Sequence, residues 1–101
     1  MFYAKQPSDL LTIEQISRIS GLDFMQGILE GRLPGPPIAE TLGYHLHSVQ
    51  EGRVEFRGTP EFHVTNPMGT VHGGWYGTLL DIAMACAVMT RVPQGSVYTT
   101  L

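Results

Sequence analysis

Apolar positions along the chain fall into two regimes with different periods. In the first forty residues they recur at helical spacing, with Ile13, Ile16 and Ile19 on one stripe. Thr12 with Gln15 three positions later forms a capping-box start for this helix, and Gly21 is expected to stop it. A second short helix is predicted from Asp23 as N-cap to Gly31, with Phe24, Ile28 and Leu29 facing inward. Leu33-Pro-Gly-Pro-Pro37 places three prolines in four positions. Proline removes a donor and fixes φ, so this segment is expected to break all regular structure and act as a rigid connector.

From Gly43 the period becomes two. Tyr44, Leu46 and Ser48 alternate with His45, His47 and Val49, a strand that ends in a turn at Gln50-Glu51-Gly52. A second strand is predicted in the run Arg53 to Thr65, where Val54 and Phe56 share a face and Phe62 and Val64 share one further on. Gly58 and Pro60 interrupt that run, and a bulge or bend is expected there. Asn66-Pro67-Met68-Gly69 is turn chemistry leading into a long, nearly all-apolar segment, residues 73–90. A helix apolar on every side is expected to be the buried centre of a globular fold. Its three glycines, two threonines and one Asp weaken the case for a membrane span.

Beyond a turn at Pro93-Gln94-Gly95, Val97-Tyr-Thr-Thr-Leu101 reads as the opening of another strand, at which the sequence stops. A hairpin and a strand stub cannot wrap a long apolar helix, because a stable sheet needs three or more strands with a covered face. The expectation is therefore a shortened form of a longer protein, or partner chains that supply the missing surface.

Composition narrows the function classes. A chain of 101 residues is one domain, and its six basic against nine acidic residues, with no Lys/Arg cluster, lack the footprint of a nucleic-acid binder. One cysteine, Cys86, excludes an internal disulfide, and the N-terminus lacks the apolar core of a secretory signal. A cytoplasmic protein acting on small molecules or on other protein chains is the resulting expectation.

Asp81 is the one charged residue in the apolar segment. Burying a carboxylate is costly unless it is paired, neutralised or used, which makes Asp81 the leading candidate for a general base or a nucleophile. Gly73 and Gly74 open the same helix, where unpaired N–H groups and partial positive charge favour a developing oxyanion. Eight residues separate Gly73 from Asp81, about 12 Å along a helix and about 80° around it. The two cannot touch one carbonyl, so a site using both must straddle two copies of the helix in a symmetric dimer.

Asn66-Pro-Met-Gly-Thr-Val-His-Gly-Gly74, then Thr78-Leu-Leu-Asp81 and Tyr98-Thr-Thr-Leu101, resembles the signature of hotdog-fold acyl-CoA thioesterases of the phenylacetic-acid-degradation (PaaI-like) branch. Pro36-Pro-Ile-Ala-Glu-Thr-Leu-Gly43 is similar to the segment that leads into their first strand. The resemblance implies an α+β hotdog fold in which an antiparallel sheet wraps a central helix, assembled as a homodimer or homotetramer with sites between subunits. Residues 38–101 would form a partial hotdog domain, truncated after the start of the strand that follows the helix, behind an N-terminal helical segment and Pro-rich connector over residues 1–37. It also implies that Asp81 activates water or attacks the thioester, that the Gly73 N–H polarises the carbonyl, that Asn66 assists nearby and that His72 orders the helix start. Thr100, or secondarily Thr99, would position water. The resemblance implies further strands after this one, including residues that bind coenzyme A.

The remaining side chains point elsewhere. His45 and His47 have a spacing seen in some metal sites, but no third ligand is placed beside them. Cys86 reads as an inert core thiol, and no Gly-x-Ser-x-Gly elbow is present. Trp75 and Tyr76 suit either a core or an acyl or aryl pocket. The reading that results is hydrolysis of acyl- or aryl-coenzyme A thioesters without a metal or redox cofactor, coenzyme A entering only as part of the substrate. The alternatives are a non-catalytic acyl-CoA or small-ligand binding protein and a strand-exchanging interaction fragment.

Overall fold

A computed structural model describes residues 1–98. Its elements run α1 (Ile13–Ser17), α2 (Gly21–Glu30), α3 (Pro37–Leu42), β1 (Tyr44–Gln50), β2 (Arg53–Gly58) and α4 (Gly73–Met89), with single 3-10 turns at Pro7–Asp9 and Phe62–Val64. The architecture is α+β, with a two-stranded antiparallel sheet among the described residues.

Thr12 and Gln15 cap α1 reciprocally, as their spacing predicts. Gly21, however, begins α2 instead of ending α1. Ser20, not Asp23, is the α2 N-cap, its hydroxyl accepting the Asp23 N–H at 3.1 Å. Gly21 sits against the end of α4: its N–H donates to the Val92 carbonyl at 2.8 Å, and a Cβ at this position would lie 1.6 Å from the Met89 carbonyl oxygen. Contact between the two helices thus selects this glycine. Gly31 closes α2 in the left-handed region, at φ 82°.

The proline-rich segment is not wholly irregular. Pro37 opens α3, since a fixed φ and a missing N–H cost nothing at the first helical position. The strand that follows carries a bulge between Leu46 and Ser48 that its alternation does not predict, while the interruption expected at Gly58 and Pro60 is the end of β2. The extra residue reverses the alternation, so Tyr44, Leu46 and Val49 are buried while His45 and His47 are exposed. After Gly58 the second strand stops. Phe62 and Val64 do not share a strand face: they belong to a 3-10 turn in which Val64 is buried and Phe62 is 87% exposed.

Two apolar clusters hold these elements together. Met25, Ile28, Leu46, Val49 and Met89 join α2, β1 and the end of α4. Ala39, Tyr44, Val64 and Trp75 join α3 and β1 to the start of α4. Thr90 ties the hairpin turn to α4, accepting the Gly52 N–H at 2.7 Å and donating to the Ala87 carbonyl at 2.7 Å.

The expectation of a helix enclosed on all sides is corrected. One side of α4 packs against β2 and α2, but Tyr76, Leu80, Met84 and Val88, spaced four apart, are all exposed. A two-stranded sheet covers only one face of a 17-residue helix. Val97 and Tyr98 lie outside any strand, and the rest of the predicted strand falls outside the described residues. No helix of the described residues is long and apolar enough to cross a membrane.

Candidate functional site

The loop before α4 is built by Asn66. Its Oδ1 accepts the N–H groups of Met68 at 3.0 Å and Thr70 at 3.2 Å, and its Nδ2 donates to the Thr70 hydroxyl at 2.7 Å. Gly69, at φ 82°, completes the turn with its N–H on the Asn66 carbonyl at 2.9 Å. A bridge between Thr65 and Val71, and the His72 N–H on the Val64 carbonyl at 2.9 Å, close the loop and aim the chain into the helix.

His72 is the N-cap, its Nδ1 accepting the Gly74 N–H at 2.8 Å. An accepting Nδ1 carries no proton, so the neutral ring bears its hydrogen on Nε2. A Cβ on Gly74 would lie 2.9 Å from that Nδ1, so the capping ring requires glycine there. Around Gly73 nothing stands within 4 Å of a Cβ, and its N–H has no hydrogen-bond acceptor among the described residues. The helix therefore presents an open, unpaired donor at its positive end.

Trp75 belongs to the core: its Nε1–H donates to the Leu42 carbonyl at 2.7 Å, and its ring centroid lies 5.1 Å from that of Tyr44. The Tyr44 hydroxyl donates to the Trp75 carbonyl, and burial raises its pKa. Tyr76 turns outward at 51% exposure.

Asp81 is exposed, which corrects the expectation of a buried carboxylate. On an α-helix Gly74, Thr78, Asp81 and Ala85 follow one face. At the N-terminal end of that face is a hollow of about 320 Å³, lined by His63, Thr65, His72, Gly74 and Thr78 among others. At the other end a larger cavity of about 560 Å³ has Ala85, Cys86 and Met89 in its wall. Asp81 stands between the two. His63, whose Nε2 donates to the Thr41 carbonyl at 3.1 Å, and Thr78 were missed as site residues by sequence reasoning. His63 is brought in by a turn that reads as a strand in the sequence, whereas Thr78 was visible as a one-turn neighbour of Asp81. The structure places His72 and Gly73 at the head of α4, with Asn66 shaping the loop before them, and leaves Asp81 two turns further along the same helix. Thr100 and Thr99 lie outside the described residues.

Residues 35–100 match a family described as a domain of unknown function, DUF4442. The chain belongs to that family. No curated protein and no solved structure matches it. The DUF4442 match takes in the loop, α4 and both strands, so every candidate residue from Asn66 to Thr100 lies within it, while α1 and α2 precede it.

Burial, and secondarily the charge of Asp81, push the Cys86 thiol up to about 11 from 9.0. Only the thiolate alkylates, so at neutral pH Cys86 of this DUF4442 chain should react about a hundredfold more slowly than an unperturbed cysteine. The pH profile of iodoacetamide labelling, followed by mass spectrometry, should have its midpoint near 11, and Asp81→Asn should move it down. A midpoint unmoved by that substitution would show that the two side chains do not sense each other.

Proposed function

We propose that the chain hydrolyses acyl- or aryl-coenzyme A thioesters on a hotdog-type fold, at sites shared between two copies. The observation that carries this reading is the setting of Asp81, the one charge in an apolar helix, exposed and within one turn of an apolar cavity. A carboxylate placed there can take a proton from water as the water attacks the carbonyl, then return it to the departing thiolate. The oxygen of the tetrahedral intermediate needs a donor, and the open Gly73 N–H at a helix N-terminus is suited to it. Asn66 and His72 hold that N-terminus in shape, and Thr100 is proposed to position water.

One continuous helix keeps Gly73 and Asp81 about 12 Å apart, which supports a donor and a base from different subunits. The exposed stripe of Tyr76, Leu80, Met84 and Val88 on the same helix supports a second copy covering it, as dimer or tetramer. The hairpin packed on α4 is consistent with the start of a wrapping sheet. This chemistry needs no metal or redox cofactor, and a single cysteine fits a cytoplasmic setting. A second reading, a non-catalytic acyl-CoA binding protein, is favoured by Asn66, whose hydrogen bonds all remain within its own loop.

The test is thioesterase turnover on a panel of acyl-CoAs by wild type and Asp81→Ala. Loss of turnover in the variant with retained binding is the expected result. Equal, slow turnover by both would remove Asp81 from catalysis and leave the binding reading.

A further inference from the structure

We infer that the cavity between the N-terminal helices and the C-terminal half of α4 binds the hydrocarbon chain of a linear acyl ester or thioester, tail inward, with the uncharged head beside Asp81. The volume of about 560 Å³ lies within the roughly 300–1,000 Å³ of small-molecule sites. A single aromatic ring fills a cavity of about 150 Å³, so one ring would leave most of this space empty, whereas an extended chain can occupy it. Among the described residues the wall has no charged side chain, and its polar side-chain atoms are the Cys86 thiol and the Tyr98 hydroxyl. Pro34 and Pro36 in the wall lack N–H groups as well. A ligand burying several amides or hydroxyls would find few partners there for the water it loses, while a hydrocarbon needs none.

Charge selects the head. Ala85 of the wall follows Asp81 by one turn on the same helix face, so a fatty carboxylate seated tail-first would set its charge near another carboxylate. An ester or thioester carries no such charge. The opposite wall comes from Ile13, Ile16, Phe24, Met25 and Ile28, all ahead of residue 35, where the family match begins. Chain-length preference therefore resides in a segment outside the matched domain. Naming the head a thioester rests on the proposed hydrolysis; the preference of the cavity for a hydrocarbon chain does not.

Cys86, the sole cysteine, stands in the wall and reports occupancy. The full chain is labelled with iodoacetamide at alkaline pH in the presence of straight-chain methyl esters from butanoate to dodecanoate. The concentration giving half-protection should fall about fourfold per added methylene until the cavity is filled. Methyl phenylacetate should protect less well than methyl octanoate. Free fatty acids should protect less well than their esters, and Asp81→Asn should remove that difference. Ile16→Trp should fill the cavity and abolish protection, with circular dichroism checking that it folds; the wild-type length series does not depend on that variant. Protection independent of chain length, or strongest with phenylacetate, would overturn the assignment. So would labelling that slows with protein concentration alone, the sign of a second copy covering the cavity. Length-dependent protection in a protein that turns over no thioester would uphold the cavity and refute the hydrolysis.

Discussion

Gly21→Ala should destabilise the protein by more than about 3 kcal/mol, lowering the thermal midpoint by over about 10 °C. The added Cβ would fall 1.6 Å from the Met89 carbonyl oxygen and 2.8 Å from its carbon, so backbone must move. A flexible side chain can swing aside; the last turn of α4 cannot. Separating the helices would also break the Gly21 N–H to Val92 bond and open the Met25, Ile28 and Met89 cluster. Against a total stability for such domains of about 5–15 kcal/mol, that loss is about a fifth or more of what holds the fold together. Gly73→Ala is the control. Nothing lies within 4 Å of its Cβ, so its thermal midpoint should stay close to wild type. Equal midpoints for Gly21→Ala and wild type would show that α2 does not seat on α4.

Gly21 also marks where sequence reasoning reaches its limit. A glycine after a short apolar stripe has the pattern of a helix stop, and nothing local distinguishes it from a glycine required by Met89, far along the chain. The bulge in β1 is a similar case. Strict alternation from Tyr44 to Val49 assigns Ser48 to the inner face, and only the pairing with β2 shows that an extra residue moves Val49 inward instead. Local signals fared better where the chemistry itself was local. The Thr12–Gln15 capping box, the Asn66–Gly69 turn and the start of α4 after His72 each depend on neighbours a few residues apart, and each was legible.

Asp81 combines both situations. Its helix and its separation from Gly73 follow from the sequence, because α-helical rise is fixed. Its exposure does not, because a face can be recognised as apolar without revealing which parts of the fold cover it. In the described residues α2 and β2 pack against only one side of α4, leaving Asp81 and the Tyr76, Leu80, Met84 and Val88 stripe on the surface. An apolar face carrying one carboxylate is a poor surface in isolation and a reasonable one for a site completed by another copy.

The second large effect follows from that arrangement. Asp81→Asn removes the base and Gly73→Val crowds the donor N–H, so each homogeneous variant should lose hydrolysis by about 10²–10⁴-fold. Neither substitution meets a packed neighbour: Asp81 is exposed and the space around Gly73 is open, so both chains should fold. In a mixed dimer one site collects both defects and the other collects neither. Random exchange at equal amounts makes about half the dimers mixed, each with one intact site, so about a quarter of wild-type turnover should return.

The decisive measurement is acyl-CoA hydrolysis by the two variants, dissociated together and reassembled. Recovery to about a quarter of wild-type turnover is the expected result. Mixed dimers, verified by mass, that remain as inactive as either parent would contradict a site built from Asp81 of one subunit and Gly73 of the other.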